Sequence, residues 1–499
     1  MTIRHSPRLL WLLTVCAVAT LVFLIRLHGT TDLESYGQPN RIGYLLDLMT
    51  QGHFFVQHDL NNVAMSVPPL HTWIMAPFAA VFGLNRVAVV LPSFLAVLAI
   101  SVWVFEIGRR RLGELSAGLA AIAFLLSPAT AKHIALVSPD PVFACIVATA
   151  ILVCSTAWPE SGGERKRWLL FSLTSALATL TMGAQGLLLS AGGLLACVWN
   201  DRLDSQRGTA SGPYFAALAL FFGVVLAWLI PAGLTEGFGQ ATTMLVPAAS
   251  GWSAGELLSP IVALLMRYLP FSLFLLVALV RQLRHSTADA DERSFERFLA
   301  TWLLGGLLVV SLTGQKGADP VFVLWPAGAL LAGREMARLA ERMGKTKFAG
   351  VAVVISCILI GATYNAVHSV GPGNLGTSVL GRELQLARNA ELAASAMQAH
   401  GIDPNTLHHW GTPATLQFYL GTFHPLIDKA ALDELLANAT GPLGLATDGA
   451  GIESLGVADR FPGTRRIFRW PEDESQAPAI QVFRIVRQEA AGGRLASSH

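Results

Sequence analysis

Charge is what this chain has least of. Only 14% of its 499 residues are Asp, Glu, Lys or Arg, and 53% are hydrophobic, whereas a soluble globular chain carries about 25% charged residues. With repeated apolar runs of roughly 18 residues or more, the deficit excludes an ordinary soluble protein and marks a polytopic helical membrane protein. Cysteine is also sparse. Cys16, Cys145, Cys154, Cys197 and Cys357 all fall in apolar segments without CxxC spacing, which excludes a disulfide framework or a cysteine zinc site. No phosphate-binding loop and no dinucleotide motif occurs, which argues against a nucleotide-driven pump or a nicotinamide enzyme. The net charge is +2, and no basic stripe lies outside the loops that flank helices, so no nucleic-acid partner is expected. A transporter would show repeat halves and charges at the membrane midplane; neither is evident.

The apolar segments themselves follow in order. The first runs from about Leu9 to Ile25 after a basic start, and ends in Arg26 without a small-x-small cleavage site; it is expected to remain as an uncleaved span. Arg41 to Phe55 is amphipathic and suited to the membrane interface. Pro68-Pro69 stops any helix, and Leu70 to Leu84 is short for a span. Further spans are expected near Val87–Ile107, Ala117–Val137, Val142–Trp158, two within Trp168–Trp199 broken near Met182-Gly183, Tyr214–Leu234, Pro260–Val280, Phe298–Thr313, Val321–Leu331 and Phe348–Val367. That makes about eleven.

The loops with Arg109-Arg110-Arg111, Glu164-Arg165-Lys166-Arg167, Arg281 to His285 and Arg334 to Lys347 all fall on one side of this arrangement. By the positive-inside rule that side is the cytoplasm, with the N-terminus inside. Residues 1–367 are thus expected to form the transmembrane domain, with a first outer loop over 27–86. After a Gly/Pro-rich linker at 371–376, residues 377–490 alternate short apolar runs with turn residues and read as a small soluble α/β domain outside. The tail, 491–499, is expected to be disordered.

Candidate chemistry gathers in the outer loops. Thr30 to Trp73 opens with Asp32 and Glu34, and Asp140 stands at the outer end of a later span. Two such loops can bring carboxylates to one surface pocket, where one acts as general base toward an acceptor hydroxyl and the other orients it. Each acid could equally sit in a solvated loop. Lys316, isolated between two spans, suits a phosphate as a point charge or an interfacial anchor. Arg267 lies within an apolar span, where a charge is costly and a functional role is the default. Arg41, Lys132 and His133 are weaker candidates for the same phosphate. His408-His409 has no further ligand at useful spacing, so no metal site is expected there. Trp73, Trp228, Trp252 and Trp325 suit the interfacial belt.

The order of these motifs resembles the GT-C glycosyltransferases, and most of all the bacterial dolichyl-phosphate-mannose-mannosyltransferase-like group that includes aminoarabinose transferases. Gln38 to Phe54 resembles that group's surface helix, and Val67-Pro68-Pro69-Leu70-His71-Thr72-Trp73 its Lys-Pro-Pro-Leu motif. Phe82-Gly83-Leu84 and Leu91-Pro92-Ser93 resemble its FGL and RLPS. Asp140 falls at its second-loop acid, and Lys316 with Pro326 resembles its late lysine–proline motif. Three cations of the group are replaced, by Val67, Val90 and Met182. Its Asp-Glu pair aligns without a gap near Gly37-Gln38, so Asp32 or Glu34 serves only if the loop is shifted.

The resemblance implies a GT-C-like all-α membrane bundle with a small outer α/β domain. It implies an inverting transfer of a sugar from a polyprenyl-phosphate donor to a lipid, glycan or protein acceptor at the outer face of a bacterial inner membrane. Glu34 or Asp32 would be the base and Asp140 would position the acceptor, with Lys316, Arg267 and Arg41 for the donor phosphate. Membrane lipids and the lipid-linked donor are the expected partners, and neither a cofactor nor a divalent metal is indicated. A non-catalytic membrane scaffold or lipid-binding relative is the alternative.

Overall fold

The computed structural model describes residues 7–29, 33, 37–154, 163–203, 214–246, 253–284, 289–313, 319–368, 379–438, 441–448, 463–474 and 479–486. The chain divides into two compact units. One comprises Met1–Gly29, Met65–Val81 and Arg86–His368; the other comprises Thr30–Ala64, Phe82–Asn85 and Ser369–His499.

The first unit is helical. Among the described residues, five helices are long and apolar enough to cross a membrane: Pro7–Leu27, Arg86–Leu112, Tyr214–Glu236, Ala290–Leu312 and Lys345–His368. A sixth span arises if Gly255–Met266 and Phe271–Arg284 count as one, although they meet at a 110° bend. Pro270 stands in that break, where it has no N–H to continue the helix. The chain is a multi-pass membrane protein, as its charge deficit requires. Shorter apolar helices lie at Leu70–Phe82, Glu114–Leu126, Pro139–Val153 and Ala184–Trp199.

Several segments depart in detail from the spans read in the sequence. The helix expected over Ala117–Val137 stops at Leu126, because Ser127 is extended and Pro128 starts a separate turn through His133. The helix expected over Val321–Leu331 begins only at Trp325, after a 3-10 turn over Asp319–Leu324, and runs on to Met343. Its basic residues are therefore helical, and its buried face runs from Trp325 to Ala340. Small residues let neighbouring helices approach. A Cβ at Gly333 would lie 2.6 Å from the Ala120 nitrogen and the Ser116 carbonyl oxygen.

The second unit is built on a four-stranded sheet, β1 (Leu407–Trp410), β2 (Leu443–Asp448), β3 (Arg465–Trp470) and β4 (Ile480–Ile485). The spatial order is β1-β2-β4-β3. The β1–β2 pair is parallel and the other two pairs are antiparallel. Alternating side chains face opposite layers. Ala446, Ile480 and Val482 pack with Ala390, Met397 and Leu416 on one face, and Leu443, Leu445 and Ile485 pack with Leu432 and Leu436 on the other. The mixture of short strands and helices agrees with the α/β character read in the sequence.

Residues 37–64 supply further elements of this unit. Gly37 adopts φ 74°, and Gln38-Pro39 then starts a helix to Leu46. Proline is well placed there, since a first-turn N–H has no helical partner to lose. A π-turn over Asp47–Gln51 follows, and Gly52 at φ 76° ends it. The helix lies tight against the next turn, because a Cβ at Gly43 would meet the Asp59 Cα and Leu60 nitrogen at 2.9 Å.

Candidate functional site

In the helical unit the site begins with Asp140, in the first turn of the helix Pro139–Cys154. A carboxylate is favoured there by the unpaired N–H groups and the positive end of the helix dipole. Asp140 is buried, with 9% of its surface exposed, so water alone does not satisfy it. The Ser138 hydroxyl donates to Asp140 Oδ2, and the Asp140 amide donates to Ser138 Oγ at 3.3 Å. Ser138 therefore fixes both the backbone and the carboxylate. The turn before the acid is held from another helix, since the Ser93 hydroxyl donates to the Leu136 carbonyl at 2.7 Å and to that of Ser138 at 3.4 Å. Ser93 ends the Leu91-Pro92-Ser93 motif. Through it, that motif positions the segment carrying the acid.

Other sequence candidates approach the same turns. The Ala129 amide donates to the Arg267 carbonyl at 3.1 Å, which ties the 128–133 turn to the bend before Phe271. His133 is buried, with its ring 4.9 Å from that of Phe322 in the 3-10 turn. Lys132 is half-buried beside it. Tyr268 and Trp325, both buried, bring their rings to 4.3 Å. Arg267 is exposed at the end of Ala254–Met266. The helix breaks at that point, so Arg267 is not enclosed in a buried interior. Trp228 and Trp325 are buried at 1% and 0% exposure. Both are core residues rather than belt residues. Asp32, Glu34 and Lys316 lie outside the described residues, and so does any approach of the first two to Asp140.

In the second unit Arg41 is half-buried on the helix Gln38–Leu46. Tyr44, on the same helix, has its phenol pushed up by burial and then by the Asp59 carboxylate, with Arg41 acting in the opposite direction. Asp59 is buried, and its Oδ1 accepts from the amides of Asn61 and Val63 at 2.9 Å each. A cavity of about 230 Å³ opens within this unit, bordered by Asn40, Asp59, Asn61, Gly411 and Thr412. Amide, carboxylate and hydroxyl groups among its lining residues can exchange hydrogen bonds with a hydroxyl-rich ligand. Nothing in the sequence marks this cavity, because Asn40 and Thr412 come together only when residues 37–64 join the C-terminal fold.

His408 and His409 lie on β1 with opposite surroundings. His409 is fully buried, with Nδ1 3.1 Å from the Thr412 hydroxyl, and its ring stacks 6.2 Å from that of His424. Burial pushes its pKa down to about 3, helped by the neighbouring His424 and His408. It is a neutral core residue.

Residues 66–230 match the family described as dolichyl-phosphate-mannose-protein mannosyltransferase. No curated protein sequence matches the chain. Among solved structures, ArnT from Cupriavidus metallidurans bound to undecaprenyl phosphate superposes with a TM-score of 0.67 at 14% identity, covering 95% of this chain and 98% of that one. The same protein in its apo state gives 0.68 at 16% identity, covering 96% and 98%. The chain therefore has an ArnT-like GT-C fold over nearly its whole length, which bears out the resemblance read from its motifs.

Proposed function

We propose that this chain is a membrane glycosyltransferase that moves a sugar from a polyprenyl-phosphate donor to a lipid, glycan or protein acceptor. The observation that carries the reading is the pinned, buried Asp140 carboxylate within the stretch that matches the mannosyltransferase family. The solved ArnT with undecaprenyl phosphate supports a lipid-linked donor. Sidedness follows from the loop cations, with the N-terminus in the cytoplasm of a bacterial inner membrane and transfer at the outer face.

The chemistry is an inverting displacement. The acceptor oxygen attacks the anomeric carbon, the bond from that carbon to the phosphate oxygen breaks, and polyprenyl phosphate leaves. Glu34 or Asp32 takes the acceptor proton, and Asp140 orients the acceptor. The leaving phosphate gains charge, which Lys316, Arg267 and Arg41 are assigned to offset.

The test uses the full chain in lipid bilayers with labelled polyprenyl-phosphate sugars and a lipid extract as acceptor. Label should move to an acceptor, and Asp140→Asn should lose roughly 10²- to 10⁴-fold in rate, the range for a positioned acid–base group. Val67, Val90 and Met182, at positions where the resembling group has cations, favour a second reading as a non-catalytic lipid-binding relative. Donor binding with no transfer would select that reading.

A further inference from the structure

Asp47, His53 and His58 do not enter the sugar-transfer reading, yet the second unit gathers all three. Asp47 begins the π-turn after the helix Gln38–Leu46 and is completely buried. Its Oδ1 lies 2.8 Å from His53 Nδ1. Its Oδ2 accepts from the His58 amide at 2.7 Å and lies 3.6 Å from His58 Nδ1. One ligand atom from each residue lies within 4.8 Å of both others.

We propose that Asp47, His53 and His58 form a zinc site with three protein ligands and a fourth position open to water. Two imidazole nitrogens and one carboxylate oxygen are a donor set that suits Zn²⁺. Ligands about 2.0 to 2.1 Å from a tetrahedral zinc stand about 3.3 Å apart; here the two imidazole nitrogens lie 2.8 and 3.6 Å from the two oxygens of the Asp47 carboxylate, and one ligand atom from each residue falls within 4.8 Å of the others. His53, whose side chain is 55% exposed, has room to turn toward a shared ion. The same exposure leaves one side of the site for water. Asp47 is the fixed point, since burial and the His58 amide hold it in place. The ion would tie the π-turn, the residue after Gly52 and the strand-like segment at His58 into one clip. Six- and five-residue intervals between ligands match no zinc motif, so the sequence carries no sign of the site. The π-turn and the reversal after Gly52 bring the three residues together.

The test is equilibrium dialysis of the full chain in detergent, without a histidine tag, against Zn²⁺ alone, with bound metal counted by mass spectrometry. One zinc per chain is expected, and Co²⁺ in its place should give the intense visible bands of tetrahedral N/O coordination. His53→Ala and His58→Ala should each weaken binding by roughly tenfold or more, since even outer-sphere partners of a metal ligand are worth about that much. His400→Ala, an exposed histidine of the same unit, should bind as the parent does. Both ligand variants keep the Asp47 carboxylate and its bond to the His58 amide, and circular dichroism should confirm an unchanged fold. No bound zinc in the parent overturns the proposal, as does binding that survives both substitutions. Neither result bears on sugar transfer, which is read with a separate substrate.

Discussion

His408 and His409 are neighbours in sequence, but β1 turns one toward the interior and leaves the other half-buried. The buried ring titrates at about 3 in the folded chain, against about 6.5 when unfolded. Between those values the unfolded chain holds a proton that the folded chain lacks, so stability rises with pH there. It is fully present above pH 6.5 and is lost as pH falls toward 3. His408 and His424, also lowered by burial, add in the same direction. Hydrogen exchange in β1 and β2 should therefore speed up from pH 7 to pH 5, after correction for intrinsic rates. His409→Asn should flatten that dependence. Asp140 presents the other residue-scale case, because its carboxylate is held by a side chain two residues before it. Ser138→Ala should keep the acid but lose its orientation, and so show a smaller loss of transfer than Asp140→Asn. Equal losses would mean that Ser138 does more than position.

At the scale of elements, helices are joined by charge as well as by apolar packing. Arg338 on Trp325–Met343 donates to Glu296 at 2.8 Å and Glu292 at 3.2 Å, both on Ala290–Leu312, and to Glu335 at 2.6 Å. Arg281 approaches Glu335 at 3.1 Å from Phe271–Arg284. Glu296 and Glu335 are buried, with 4% and 5% exposed. Removing one partner from a buried network leaves its charges poorly compensated, at a cost of about 3 kcal/mol or more. Arg338→Ala should lower the thermal unfolding temperature of the purified chain in detergent by several degrees. An exposed pair such as Arg466–Glu474 should contribute little by comparison.

At the scale of the whole molecule, the loop cations make a statement about sidedness that one experiment can check. Reporter fusions at Lys345 and Gly401 should report opposite sides of the membrane, with Lys345 in the cytoplasm. Both reporting the cytoplasm would overturn the outer-face reading of the transfer reaction. The rule reads which loops carry Lys and Arg, and the fusions also test whether the broken helices cross the membrane as the sequence reading has them. The bend before Phe271 and the stop at Leu126 redistribute where helices end without moving those loops along the chain.

Composition alone determined that this is a multi-pass helical protein, since so few charges and so many long apolar runs leave no other stable arrangement in water or lipid. The order of short motifs determined the fold group, because Pro68-Pro69, Leu91-Pro92-Ser93 and Asp140 keep their sequence order whatever their packing. Tertiary structure alone decided what Ser93 does, as its partners at Leu136 and Ser138 lie more than forty residues away. It also decided that residues 37–64 share a unit with the C-terminal sheet, through contacts such as the Leu426 amide on the Leu60 carbonyl at 2.6 Å. The same holds for Arg267, Trp228 and Trp325, whose exposure depends on where helices break and which neighbours cover them. Asp47, His53 and His58 show the reason most plainly. Local periodicity reports which face of an element is apolar, but ligands set six and five residues apart meet only through a π-turn and a left-handed glycine that periodicity does not register.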